Sequence, residues 1–156
     1  MAETKVALHD EQAEGAIGVR AATQAVLLVE ELRALGSETT KRTLINHGHG
    51  AREPFFGVKV GDMKPIQKRI KTDYHLSFAL YDTGISDAMY LAGLIADDPR
   101  MTCDDLQRWV EAASWSLLSE CTGPWVTAGS LHGWQMALKK IEARGEIGKK
   151  RKSAKC

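Results

Sequence analysis

Lys59, Lys64, Lys68 and Lys71 are the residues whose type and spacing most clearly suggest chemistry. Positions 64, 68 and 71 follow an i, i+4, i+7 pattern, so a helix would carry all three ammonium groups on one side. Such a stripe suits a polyanion, above all a phosphate backbone. The same pattern also describes the solvated face of an ordinary amphipathic helix. A second basic run, Lys149-Lys150-Arg151-Lys152, lies near the end of the chain. Residues 139–156 carry net +6 against −5 for the rest, although the whole chain is only +1. A chain polarised in this way can be globally near neutral and still hold a polyanion through one part. Other reactive residue types are less persuasive. His47 and His49 have no further His or Cys at ligand spacing, so no metal site is predicted. Cys103 lies beside Asp104 and Asp105, whose charge disfavours a thiolate, which makes it a poor nucleophile.

The elements that must position these groups are helical. At 156 residues the chain reads as one domain with room for a sizeable core. Its three cysteines are too few and too scattered for a disulfide framework and point to a reducing, cytoplasmic setting. No apolar run approaches the roughly 18 residues of a membrane span. The start, Met1-Ala2-Glu3-Thr4, lacks the apolar stretch of a secretory signal.

Residues 1–20 contain Gly15 and Gly18 and read as a weakly ordered lead-in. From Ala21, the spacing of Ala25, Leu28, Leu32 and Leu35 predicts a helix that Gly36 stops. Ser37 caps a second helix through Leu44 and Ile45, ending near Gly48. Phe56-Gly57-Val58 forms a turn in which Gly57 supplies a positive φ or a close approach. Asp62 is expected to cap a third helix with Met63, Ile66 and Ile70 inward and Pro65 in its first turn. Asp73 begins a fourth helix, stopped by Gly84, and Ser86 or Asp87 a fifth. Thr102 caps a sixth helix carrying Leu106, Trp109 and Val110. A seventh spans Trp115 to Glu120 and breaks near Gly123-Pro124. An eighth starts near Ser130 and carries Trp134, Ala137, Leu138 and Ile141. Trp109, Trp125 and Trp134 read as packing residues, and Tyr74, Tyr81 and Tyr90 as core or rim. Short helices joined by short loops predict an all-α, HEAT-like α-solenoid of antiparallel helix pairs over residues 21–145. Residues 146–156 are left as a disordered basic tail.

Three segments carry a resemblance: the Phe56-Gly57-Val58 turn, Leu80-Tyr81-Asp82-Thr83-Gly84 followed by Asp87 and Leu91-Ala92, and the spacing from Trp109-Val110 to Trp115. Together they resemble the DNA alkylation repair family, the HEAT-like-repeat alkylpurine DNA glycosylases, over residues 30–129. The resemblance implies an α-solenoid whose concave basic face holds alkylated double-stranded DNA. It implies no cofactor and no metal. Trp115 matches the family's site aromatic. The position of the family's catalytic carboxylate is Ser119, and no counterpart of the catalytic arginine stands near Trp134.

Excision of a cationic alkylpurine develops oxocarbenium character on the sugar. A carboxylate stabilises that charge, and an aromatic face assists it. Ser119 is neutral, and loss of one preorganised partner of this kind typically costs on the order of 10² to 10³ in rate. Trp115 and Ser119 are therefore the candidate catalytic positions, and Lys59, Lys64, Lys68 and Lys71 the candidate DNA contacts. The alternative is a noncatalytic helical-repeat scaffold that binds DNA or a protein partner.

Overall fold

The structure, a computed structural model, describes residues 2–47, 54–113, 118–139 and 141–142, with side chains from residue 13 onward. The described residues contain no strand. Seven helices follow in order: α1 (Ala2–Leu35), α2 (Glu38–Asn46), α3 (Val60–Ile70), α4 (Tyr74–Tyr81), α5 (Ser86–Ile95), α6 (Cys103–Ala112) and α7 (Gly123–Gly129). A 3-10 turn (Asp98–Arg100) precedes α6, and a π turn (Leu118–Thr122) leads into α7. Residues 133–139 are helical as well. The basic tail, residues 146–156, lies outside the described residues, as does most of the loop between α2 and Pro54.

Local chemistry sets most of the helix starts. The Ser37 hydroxyl accepts from Thr40 N–H, and the Asp73 carboxylate accepts from Leu76 N–H at 2.9 Å. Thr102 and Asp105 close a reciprocal capping box at the head of α6. Three boundaries differ from the sequence reading. α1 begins at Ala2 rather than near Ala21, although its described side chains from 13 to 20 are all exposed. α3 begins at Val60, with Lys59 and not Asp62 in the capping position, so Pro65 sits inside the helix. The cost is one intrahelical hydrogen bond on an exposed face. No break occurs at Gly123-Pro124: the π turn runs straight into α7. Pro124 has no N–H to give the Glu120 carbonyl, and the turn ahead of it takes the wider form.

The helices form two layers. α4 packs on α1 and, through side chains, on α6; α5 packs on α3 and on the π turn. α5 lies beneath both, with all of its residues except Leu94 buried. Its last carbonyls would be orphaned in that position. Each finds an external donor: Trp125 Nε1 gives to Gly93 O, Gln67 Nε2 to Leu94 O, and Asp73 N–H to Ile95 O. Gly93 permits this approach, since a Cβ there would overlap the Thr122 side chain. Between α4 and α6 the rings of Tyr81 and Trp109 stack at 4.1 Å, and the Tyr81 hydroxyl donates to Trp109 O at 2.6 Å. Trp109, Tyr81 and Tyr90 are thus core residues, as their spacing predicts. Trp134 is not: it is 78% exposed, because no described element packs against that side of the 133–139 stretch.

One contact ties the two ends of this arrangement together. The Asp87 carboxylate, in the first turn of α5 and only 3% exposed, accepts Phe56 N–H at 2.5 Å and Val58 N–H at 2.8 Å. Gly57, between those amides, takes φ 77° and lies so close to α2 that a Cβ would meet Lys41 N and Ser37 O at 2.8 and 2.9 Å.

Asp87→Ala strands one buried and one half-buried amide and is expected to cost about 3 kcal/mol in urea denaturation. Burial pushes the Tyr81 hydroxyl up to about 12. A raised folded-state value stabilises the neutral form. That contribution is whole below about pH 10, where an unfolded tyrosine titrates, and is lost as pH rises toward about 12. Denaturation midpoints across pH 9–12 are expected to fall, and to fall less in Tyr81→Phe.

Candidate nucleic-acid interface

α3 buries Met63 and Ile66 and turns the opposite side outward. At about 100° per residue, Lys64 and Lys68 fall within about 40° of arc on that outer side, and Lys71 follows as the residue that closes the helix. All three are exposed, and so is Lys59 at the entry to the helix. Residues 59–71 carry net +4. The neighbouring Arg69 is not part of this free charge. Its guanidinium forms a two-pronged ion pair with Glu31 of α1, at 2.6 and 3.2 Å, and that pairing raises its pKa further. The four lysines form no ion pair among the described residues.

Lys71 has a further peculiarity. It closes α3 with φ 66° and ψ −109°, the one non-glycine positive φ among the described residues. Its N–H still reaches Gln67 O at 2.7 Å. A side-chain-bearing residue in such a conformation costs on the order of 1–3 kcal/mol. The tether between α3 and α4 enforces it: Lys71 and Thr72 alone join Ile70 to Asp73, whose N–H is held by Ile95 O.

On the other layer the charged groups are paired with one another. A groove of about 760 Å³ runs between α1, α4 and α6, with Glu30, Asp82 and Asp105 along it and Arg108 as a counter-charge. Arg108 is already bound to Asp82 at 2.9 Å and lies over the Phe78 ring. Burial works against the Asp105 charge, but the Thr102 amide and hydroxyl, the Tyr74 hydroxyl and Arg108 together hold its carboxyl below the usual range. Arg33 pairs with Glu30 at 3.4 Å, and Arg100 lies over the ring of Tyr74, whose hydroxyl donates to Asp105, so each carboxylate of the groove has an arginine near it. The α3 side thus differs in carrying exposed lysines with no ion-pair partner among the described residues.

Ser119 lies in the π turn, exposed, and lines an open groove of about 630 Å³ with Pro124, Leu131 and Trp134. It shares a layer with α3, separated from it by α5. Trp115 lies outside the described residues. The structure therefore brings the four lysines onto one segment and leaves Ser119 apart from them. Glu120, next in the chain, is exposed. Among the described residues no cluster of three His, Cys, Asp or Glu could hold a metal ion, and His47 Nδ1 instead bonds Thr43 O at 2.7 Å. No helix among the described residues is long and apolar enough to cross a membrane. Sequence reasoning missed Asp87 as an organising residue. The signal was present in an acidic residue in the first turn of a nearly all-apolar helix.

Residues 28–128 match a family described as DNA alkylation repair enzyme. The uncharacterized proteins Lin0241 of Listeria innocua serovar 6a and Lmo0209 of Listeria monocytogenes serovar 1/2a are each 34% identical over 94 residues, which is 57% of this chain and 42% of theirs. A solved structure is 42% identical with a TM-score of 0.69, covering 75% of this chain and 49% of its own. It comes from a new family of proteins related to the HEAT-like repeat DNA glycosylases with affinity for branched DNA structures. The fold is accordingly all-α and HEAT-like. The chain spans about half the length of the relatives it matches.

Lys71→Gly separates backbone strain from charge. Glycine relieves the positive φ and is expected to raise stability by about 1 kcal/mol in denaturant titration. Loss of the ammonium group is expected to lower the salt dependence of polyanion binding by about one charge.

Proposed function

The chain belongs to the DNA alkylation repair enzyme family, and we propose that it binds double-stranded DNA through the α3 face, with Lys59, Lys64, Lys68 and Lys71 on phosphates. One observation carries this reading: four exposed lysines without ion-pair partners among the described residues, beside an arginine that has one. Phosphate contacts of this kind give affinity and orientation but no base information. The affinity of the related solved protein for branched DNA makes junctions and gapped duplexes ligands to test beside plain and alkylated duplex.

Excision of a cationic alkylpurine by this chain is the finer form of the proposal. It places Trp115 against the sugar and Ser119 where a carboxylate would act. A hydroxyl cannot stabilise an oxocarbenium-like sugar as a carboxylate does, so unassisted excision by the native chain is expected to be slow or absent. The neutral Ser119 thereby favours the second reading, a noncatalytic DNA-binding repeat protein. A protein partner on the same layer belongs to that second reading. No cofactor or metal is required by either.

Four phosphate contacts predict a log–log salt slope of about −3.6, or roughly a hundredfold loss of affinity between 50 and 200 mM salt. Fluorescence anisotropy with a labelled duplex measures this directly. Lys64→Glu/Lys68→Glu is expected to abolish most of the binding. Unchanged affinity in that variant would remove α3 from the interface. In parallel, Ser119→Asp is expected to gain release of N7-methylguanine from methylated duplex over the native chain. Absence of any gain counts against a family-type site at that position.

A further inference from the structure

Residues 133–139 and 141–142 are helical, and this helix is apolar on two sides. Met136 is buried against the body of the molecule. At about 100° per residue, Trp134, Leu138 and Ile141 fall within about 60° of arc on the opposite side. They are 78%, 40% and 66% exposed, and Leu131, in the turn ahead, is 82% exposed. A helix with one face on the body and the other in water is expected to be polar outward. A helical repeat that ends a stack likewise turns a polar face to solvent, so this one has the character of a repeat inside a stack. Residues 143–156 bring Ile147 as their one large apolar side chain, too little to cover four.

We infer that this face is an interface between two copies of the chain related by a two-fold axis. A two-fold contact sets the same patch on both sides, so the patch must complement itself. Here ridge and groove adjoin. Leu131 and Trp134 stand along the open groove of about 630 Å³, whose lining also includes Pro124, Ala128 and Gly133. Those residues are small and leave room for a large side chain entering from a partner. The four exposed apolar side chains present on the order of 500 Å² per copy, and stripe against stripe buries about 1,000 Å² in all. That reaches the lower bound for a specific interface. The edge of the stripe carries Lys139 and Glu142, both exposed, so a second copy does not meet a field of one sign. The α3 lysines are on other residues, and the inference stands apart from the DNA reading.

Sedimentation velocity of the full chain between about 1 and 100 μM tests this. The expected result is a shift from the 17.1 kDa chain to twice that mass as concentration rises. Trp134→Glu and Leu131→Asp each change an exposed side chain and are expected to weaken dimerisation at least ~tenfold, with the helical circular dichroism retained. Val26→Glu, at a comparably exposed apolar position on α1, is expected to leave the dimer intact. Without any substitution, amide exchange across residues 131–142 is expected to slow as the native chain is concentrated. A single-chain mass throughout the range, with exchange there unchanged, overturns the inference. So does a dimer that survives both stripe substitutions, or one lost in Val26→Glu, which moves the contact to α1. Open-ended growth beyond the dimer overturns the two-fold arrangement in favour of head-to-tail stacking.

Discussion

Asp87 is a carboxylate taken almost wholly out of water, and its position in the chain makes its two backbone partners decisive. A buried charge is tolerated only when hydrogen bonds replace its hydration. Here the replacement comes from two amides of the turn that delivers the chain into α3. The clamp therefore links the start of α5, the most buried helix, to the entry of the helix that carries the lysines. Gly57 makes the turn possible, and its close approach to Ser37 and Lys41 adds α2 to the same joint. The C-terminal end of α5 is held in a comparable way by Gln67 and Asp73. α3 is thus anchored at both ends to one buried helix, and its outward stripe has little freedom to rotate.

That anchoring explains how charge is sorted between the layers. Arg69 is drawn across to Glu31, while Lys64, Lys68 and Lys71 face away. In the α1–α4–α6 layer, acidic groups are used as caps and as partners for Arg108, Arg33 and Tyr74, so the charges of that surface are mostly paired. A polyanion approaching the molecule meets unpaired lysines on one side and paired charges on the other. Lys71, held in its costly backbone conformation, marks the point where the tether to α4 outweighs local preference.

Much of this was legible in the sequence. Caps at Ser37, Asp73 and Thr102 and stops at Gly36 and Gly84 are local chemistry, readable from residue type and offset. Lys64 and Lys68 lie one turn apart inside α3, as their spacing implies, whereas Lys71 falls past the end of the helix in a positive-φ conformation that the spacing did not foretell. What was not legible depended on contacts distant in sequence. Asp87 meets its partners some thirty positions away, and no periodicity announces that. Pro65 was placed in a first turn because Asp62 resembles a cap, yet the clamped turn lets α3 begin at Val60. Trp134 shows the opposite limit: its size and spacing suit a core, but burial needs a neighbour, and none of the described elements supplies one.

The claim at the centre of this account is that DNA lies against α3. Hydrogen–deuterium exchange, followed by mass spectrometry with and without a saturating duplex, maps that contact without any substitution. Slowed exchange across residues 59–71, with little change in the α1–α4–α6 groove, is the predicted result. Protection confined to that groove, or none along α3 under saturating DNA, would contradict it.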